Sequence, residues 1–110
     1  MAEVDELLNQ AMLMLAAQPK SIFLGQNVEY TGNVMYKSLE GVPSEQRLEL
    51  PVCEDLQMGM STGLALQGFL PISIYPRFDF LLLAANQLVN HLDKLSECSQ
   101  GQWKPKVIIR

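Results

Sequence analysis

The chain has 110 residues, of which 48% are hydrophobic and 18% are charged, and it carries a net charge of −4. This length fits one domain or part of one, and the hydrophobic fraction is sufficient to bury a core. The acidic balance excludes the usual pattern of a nucleic-acid-binding protein, because phosphate contacts need clustered lysine and arginine side chains.

The sequence carries no pattern typical of secretion, a membrane span or a zinc site. Its first residues, Met1–Glu6, are acidic where a secretory signal is basic. The apolar run Phe78–Ala85 is interrupted by Asp79 and is too short to cross a bilayer. Cys53 and Cys98 are 45 positions apart and form no CxxC pair. We therefore expect a reduced, cytoplasmic protein that binds neither membranes nor nucleic acid.

Helical and strand patterns alternate along the chain. Apolar residues at helical spacing predict a first helix from about Val4 to Leu15, which Pro19 ends. A short buried strand, Ser21–Leu24, then ends at Gly25. The segments predicted after it are a short helix Val34–Leu39, a strand Arg47–Val52, a helix Asp55–Gln67, a strand Leu70–Tyr75, a long helix capped by Asp79 and extending to Leu95, and a strand Val107–Ile109.

This alternation predicts an α/β fold, specifically a three-layer sandwich in which helices flank a mostly parallel sheet. The chain ends in a strand pattern, although a parallel sheet needs both faces covered. We therefore expect residues 1–110 to form a single, incomplete domain.

The segment Leu50–Gly68 is the most informative part of the sequence. Glu54 follows an apolar strand and precedes a helix, which is where open α/β sheets bind their ligands. Gly59 and Gly63 are four residues apart, so they share one helix face and allow a backbone or a flat ring to approach closely. Considered alone, Glu54 is better explained as a carboxylate that stabilises the helix N-terminus, and only its neighbours in the sequence change that balance.

The same segment raises a serine-hydrolase alternative. Residues 59–63 match the G-x-S-x-G pattern around Ser61, and Asp79 and His91 follow in hydrolase order. That motif requires its serine on a sharp turn directly after a strand, whereas Gly59 falls two turns into the predicted helix. We therefore rank this alternative last and expect His91 to be a solvent-exposed or interface side chain.

Several short motifs occur in a fixed order along nearly the whole chain. They are Phe23–Val28, Pro51–Glu54, Pro71–Tyr75, Phe78–Phe80 and Pro105–Arg110. Together they closely resemble the pyrimidine-binding domain of transketolase-like thiamine diphosphate enzymes, best known from the β subunits of 2-oxoacid dehydrogenases. The resemblance implies the thiamine diphosphate-binding fold and an oxidoreductase or transferase that acts on a 2-oxoacid or ketose-type substrate.

The resemblance also implies roles for individual residues. In that family, the glutamate matching Glu54 hydrogen-bonds the ring nitrogen of the cofactor's aminopyrimidine, and so promotes activation of the thiazolium carbon. An aromatic residue aligning with Phe80 stacks on the pyrimidine ring, and Tyr75 is a further aromatic side chain nearby. Glu54 is thus the implied catalytic residue, and it binds the cofactor together with Phe80, Phe78 and Val52.

Only half of a cofactor site is implied for this chain. In the family, a separate domain or α subunit with a Gly-Asp-Gly motif holds the diphosphate and its Mg²⁺, and the present sequence lacks that motif. We therefore expect no metal ligand here, a pyrophosphate-binding partner subunit or domain, and a homo- or hetero-oligomer.

Three positions depart from the family pattern. Gln26 stands where an acidic residue tied to proton communication between paired active sites is usual, Leu56 replaces a common glycine, and Cys53 replaces a serine or similar residue. These departures favour an alternative function, namely a non-catalytic interaction or scaffold subunit, or a gene fragment, that keeps the fold and the dimer surface.

Overall fold

The computed structural model describes residues 1–110 and contains one sheet of four parallel strands. In the sheet order β2-β1-β3-β4, the strands are β1 (Ser21–Gly25), β2 (Arg47–Glu49), β3 (Leu70–Ile74) and β4 (Ile108–Ile109). The parallel α/β architecture predicted from the alternating pattern is therefore confirmed.

Helical segments precede and connect these strands. The α-helices are α1 (Ala2–Ala16), α2 (Val34–Ser38), α3 (Glu54–Leu66), α4 (Phe78–Leu81) and α5 (Leu95–Cys98). Two 3₁₀ turns, at Ser44–Gln46 and Leu82–Ala84, and a π-helical stretch at Gln87–Leu92 complete the set. No helix is both long and apolar enough to span a bilayer.

Helical segments pack on both faces of the sheet. Successive side chains of a strand point to opposite sides, so each strand contributes to the packing on both faces. On one side, Phe23, Ile72 and Ile74 pack with residues of and around α1 and α2, namely Met12, Val28, Leu39 and Val42. On the other side, Tyr75 and Met58 pack with Ala84, Leu81, Leu88 and Leu92. The domain therefore has the three helix–sheet–helix layers that the sequence predicts.

The structure is helical over most of the predicted Asp79–Leu95 helix, but this region is not one uniform α-helix and Asp79 does not cap it. That region is divided among α4, a 3₁₀ turn, a π-helical stretch and α5, and Arg77 rather than Asp79 occupies the N-cap of α4. A π-helical turn holds more residues than an α turn. The predicted apolar stripe is confirmed in part, because Leu88 and Leu92 pack against the buried cluster beside α3.

Strand β2 is shorter than the predicted Arg47–Val52. The amide of Leu50 still donates to the carbonyl of Gly25 at 2.9 Å, but the chain then leaves the sheet. Proline has no N–H to contribute to a strand ladder, so Pro51 ends the pairing. This exit creates a short connection between the sheet edge and Glu54.

Candidate functional site

Glu54 is the first residue of α3, and only 6% of it is exposed. Unpaired amides at the start of a helix favour a carboxylate at this position. The hydrogen bonds in its surroundings join Gln26, Gln57 and backbone groups, and none of them involves the Glu54 carboxylate. The structure thus holds an acidic side chain in a mostly buried position without an internal partner.

Glu54 lines a cavity of about 380 Å³ at the carboxyl end of the sheet. The other lining residues are Gln26, Asn27, Val52, Pro76, Arg77 and Phe80. The guanidinium carbon of Arg77 lies 5.8 Å from the centre of the Phe80 ring. The cavity therefore offers one carboxylate, an aromatic ring, an aliphatic wall and a single cationic group.

The structure brings together three of the four residues assigned to the site from the sequence. Val52 and Phe80 line the cavity with Glu54, although Val52 is 78% exposed. Phe78 is 82% exposed and lies outside the lining. Tyr75 is buried beside Met58 and does not line the cavity either. The proposed roles of these residues toward a cofactor stay predictions.

Gln57 is a site residue that the sequence analysis missed. Its side chain is completely buried, and its Nε2 donates to the carbonyl of Ile74 at 2.8 Å and to Ser73 Oγ at 3.1 Å. Its Oε1 accepts a hydrogen bond of 2.9 Å from Gln26 Nε2. The sequence signal that could have identified Gln57 is a polar residue on the inner face of α3, three positions after Glu54.

Gln26 connects this buried amide to the segment that precedes Glu54. Its Nε2 also donates to the carbonyl of Pro51 at 3.1 Å, and its side chain lines the Glu54 cavity. The Gln26 side chain thus connects the loop after β1 to Pro51, just before Glu54. The Gln57 side chain connects the first turn of α3, just after Glu54, to the end of β3.

The loop after β1 is held by the carboxylate of Glu49 at the end of β2. That carboxylate accepts hydrogen bonds from the backbone amides of Asn27, Val28 and Glu29 at 3.0, 2.9 and 3.1 Å. The bonds hold Asn27 at a φ of 63°, a conformation that asparagine tolerates better than most residues. Gln26 is therefore presented from an anchored loop.

The hydroxyl of Tyr75 is buried and has no hydrogen-bond partner. Burial raises the pKa of Tyr75 above its ordinary value. The nearby Ser73 side chain offsets part of that rise, and the negative charges of Glu54 and Asp55 add to it. Tyr75 is therefore held as a neutral phenol close to the acidic start of α3.

The serine-hydrolase alternative is wrong. Ser61 is completely buried in the middle of α3, and its hydroxyl donates to the carbonyl of Gln57 at 2.8 Å. Asp79 and His91 are both exposed. A nucleophile elbow needs an accessible serine on a turn, so this chain has no such site.

No protein-family model matches the chain, but several curated proteins do. Pyruvate dehydrogenase E1 component subunit beta-3, chloroplastic, from Arabidopsis thaliana is 33% identical over 96 residues, which cover 84% of this chain and 23% of the relative. This chain is homologous to E1 β subunits. The chloroplastic beta-3 subunit of Oryza sativa is 32% identical over 110 residues (96% and 28% covered), and its mitochondrial beta-2 subunit is 30% identical over 113 residues (97% and 30% covered).

The homology confirms the resemblance to the transketolase-like pyrimidine-binding domain. The chain spans between 23% and 30% of the length of these three relatives. What it shares with them is therefore one portion of a longer subunit.

The prediction of a cytoplasmic protein is wrong. The relatives from Arabidopsis and rice are chloroplastic or mitochondrial proteins. The two cysteines are free and exposed, but reduced thiols do not distinguish one reducing compartment from another.

Proposed function

We propose that this chain supplies the pyrimidine-binding half of a thiamine diphosphate site in an E1-type 2-oxoacid dehydrogenase. The observation that carries the proposal is the mostly buried Glu54, whose carboxylate has no hydrogen-bond partner within the chain and lines a cavity with an aromatic wall. The homology to E1 β subunits supports the same assignment.

The cavity residues fit the aminopyrimidine end of this cofactor. A flat heterocycle needs an apolar surface for its face and a hydrogen-bonding group for its ring nitrogen. Phe80 and Val52 supply the apolar walls, and Glu54 supplies a carboxyl group that shares a proton with the ring nitrogen. The bound cofactor would supply a carbon nucleophile for the keto carbon of the substrate.

We assign the diphosphate and its Mg²⁺ to a partner subunit. Residues 1–110 contain no group of three or more His, Cys, Asp and Glu side chains that could hold a metal ion. Arg77 is the only cationic residue lining the Glu54 cavity. The relatives carry the designation β subunit, which supports a hetero-oligomeric enzyme in which the site is completed across an interface.

The test is turnover and calorimetry of the chain in complex with its α-type partner, Mg²⁺ and thiamine diphosphate. We expect Glu54→Gln to lower 2-oxoacid turnover by roughly 100-fold or more, because the amide cannot share a proton with the ring nitrogen. Asp55→Asn is the matched control, since the adjacent Asp55 is exposed, and it should change turnover by less than about twofold. Wild-type turnover by Glu54→Gln would refute the proposal.

A second pair of variants tests the aromatic wall. Phe80→Ala should weaken cofactor binding about tenfold through lost stacking, whereas Phe78→Ala should leave binding unchanged because Phe78 lies outside the cavity. Partner association without any cofactor binding would instead favour the non-catalytic scaffold alternative.

A further inference from the structure

The amides of Gln26 and Gln57 are fixed in one orientation by their surroundings. Gln57 Nε2 lies within hydrogen-bond distance of three acceptors, the carbonyl of Ile74 at 2.8 Å, the hydroxyl of Ser73 at 3.1 Å and the carbonyl of Leu24 at 3.4 Å. Its oxygen must therefore face Gln26, whose Nε2 donates to it at 2.9 Å. Flipping the Gln57 amide would place its oxygen against the Ile74 carbonyl.

The second hydrogen of the Gln26 amide is also used. Gln26 Nε2 donates to the carbonyl of Pro51 at 3.1 Å, so its nitrogen has an acceptor for each of its two hydrogens. Only 7% of Gln26 and none of Gln57 is exposed. A group that replaces this amide nitrogen without donating would face two acceptor oxygens away from bulk water, which is costly.

We infer that Gln26 and Gln57 form an uncharged pair of hydrogen-bonded amides beside Glu54, here called the amide lock. The amide lock requires a neutral hydrogen-bond donor at position 26. It leaves Glu54 as the only side chain lining the cavity that exchanges a proton. In this assignment both glutamines are positioning residues. They hold the segment 51–53 and the first turn of α3 on either side of the carboxylate. The inference deepens the proposed function and rests on it for the identity of the ligand.

The charged and titratable groups around the amide lock are consistent with a neutral pair. Glu49 already accepts three backbone N–H bonds in the adjacent loop. Arg77 lies over the Phe80 ring in the lining of the cavity. Asp55, in α3, is exposed, and Tyr75, directly after β3, is a buried phenol. None of these groups makes a hydrogen bond with the Gln26 amide.

The test introduces a carboxyl group at position 26. In Gln26→Glu, the ionised side chain would face the Gln57 and Pro51 oxygens, whereas the protonated form can still donate one hydrogen bond. Folding should therefore raise the pKa of the new carboxyl group above its unfolded value. The stability of this variant should be greatest below about pH 4 and should fall as the pH rises.

Two measurements between pH 5 and 8.5 test this behaviour. The first is the denaturation midpoint of the 110-residue chain, and the second is thiamine diphosphate binding by its complex with the α-type partner and Mg²⁺. Relative to wild type, Gln26→Glu should bind thiamine diphosphate about tenfold more weakly at pH 8 and recover as the pH is lowered. The side chain introduced by Gln26→Met is neutral and cannot donate a hydrogen bond. This variant should bind the cofactor more weakly than wild type by the same factor at every pH. Gln102→Glu makes the same amide-to-carboxyl change at an exposed position outside the cavity, and it should stay within about twofold of wild type at every pH.

The inference is overturned if Gln26→Glu matches wild type at pH 8 in both measurements, or if Gln26→Met shows the same pH step as Gln26→Glu. If Gln26→Glu loses stability with rising pH while Glu54→Gln in the complex with the α-type partner keeps wild-type turnover, the amide lock stands and the proposed function fails.

Discussion

At the scale of single residues, Glu54 and Asp55 are neighbours in sequence but have opposite environments. Consecutive positions on an α-helix are rotated by roughly 100°, so the first turn of α3 directs Glu54 inward and leaves Asp55 exposed. Sequence spacing alone identified an acidic helix start. Burial identifies which of the two carboxylates can meet a ligand away from bulk water.

Tyr75→Phe is predicted to leave stability at pH 7 unchanged or to raise it by up to ~1 kcal/mol, because the hydroxyl is buried without a partner. The raised pKa of Tyr75 means that its contribution to stability is complete below about pH 10 and is lost as the pH rises further. Denaturant titrations at pH 7 and above pH 10 should therefore show the variant gaining on wild type in alkali.

The control for Tyr75 is Tyr30→Phe, since Tyr30 is 65% exposed. It should not alter the alkaline loss of stability. A loss of more than ~1 kcal/mol for Tyr75→Phe at pH 7 would mean that the hydroxyl has a hydrogen-bond partner after all.

At the scale of elements, the site depends on how closely β1 approaches β3 and α3. Gly25 ends β1 with a φ of 149°, and a Cβ there would overlap the carbonyl oxygen of Ile74 and lie 3.1 Å from Gln57 Nε2. Gly63 on α3 has no atom within 4 Å of an added Cβ. A close backbone approach therefore requires the glycine at position 25, whereas no contact within this chain requires the glycine at position 63.

Gly25→Ala is predicted to destabilise the chain by about 2–4 kcal/mol, because the new methyl group collides with backbone. Gly63→Ala should instead stabilise the isolated chain by up to about 1 kcal/mol through helix propensity. Thermal or chemical unfolding measures both. By its spacing in the sequence, the Gly59–Gly63 face allows another backbone to approach closely. If a partner's backbone does so, Gly63→Ala should also weaken association. Equal losses of stability for the two variants would contradict this account.

At the scale of the whole molecule, the two sides of the sheet differ in size. The cluster under α1 and α2 contains seven buried hydrophobic residues, whereas the cluster under α3 contains three. The smaller cluster is completed by partly buried leucines from the interrupted helical region. That region also exposes Leu82 and Leu83, so its own packing contributes less to stability.

Hydrogen exchange should reflect this asymmetry. We predict the slowest amide exchange in the central strands β1 and β3, and faster exchange in the Gln87–Leu92 stretch, because local opening there exposes little of the larger cluster. Residue-resolved exchange by NMR at neutral pH measures this directly. Protection in Gln87–Leu92 equal to that in β1 would show that the domain opens only as one unit.

Much of the fold was predictable because its determinants are local. Strands β1 and β3 were placed within one residue, since short runs of apolar residues bounded by Gly25 or Pro76 indicate buried strands. The start of α3 was also found within one residue. The interrupted helix after β3 was not, because an apolar stripe does not reveal whether hydrogen bonds follow α or π spacing.

The sequence by itself determined the order of strands and helices, the parallel sheet and the position of Glu54 at a helix start, because each depends on residues close together in the chain. Only the tertiary structure decided which side chains share a cavity with Glu54. Gln26 and Phe80 lie 54 positions apart in sequence and meet only when β1 and β3 pair. The orientation of the Gln26 and Gln57 amides is likewise tertiary, because the carbonyls that select it come from separate segments.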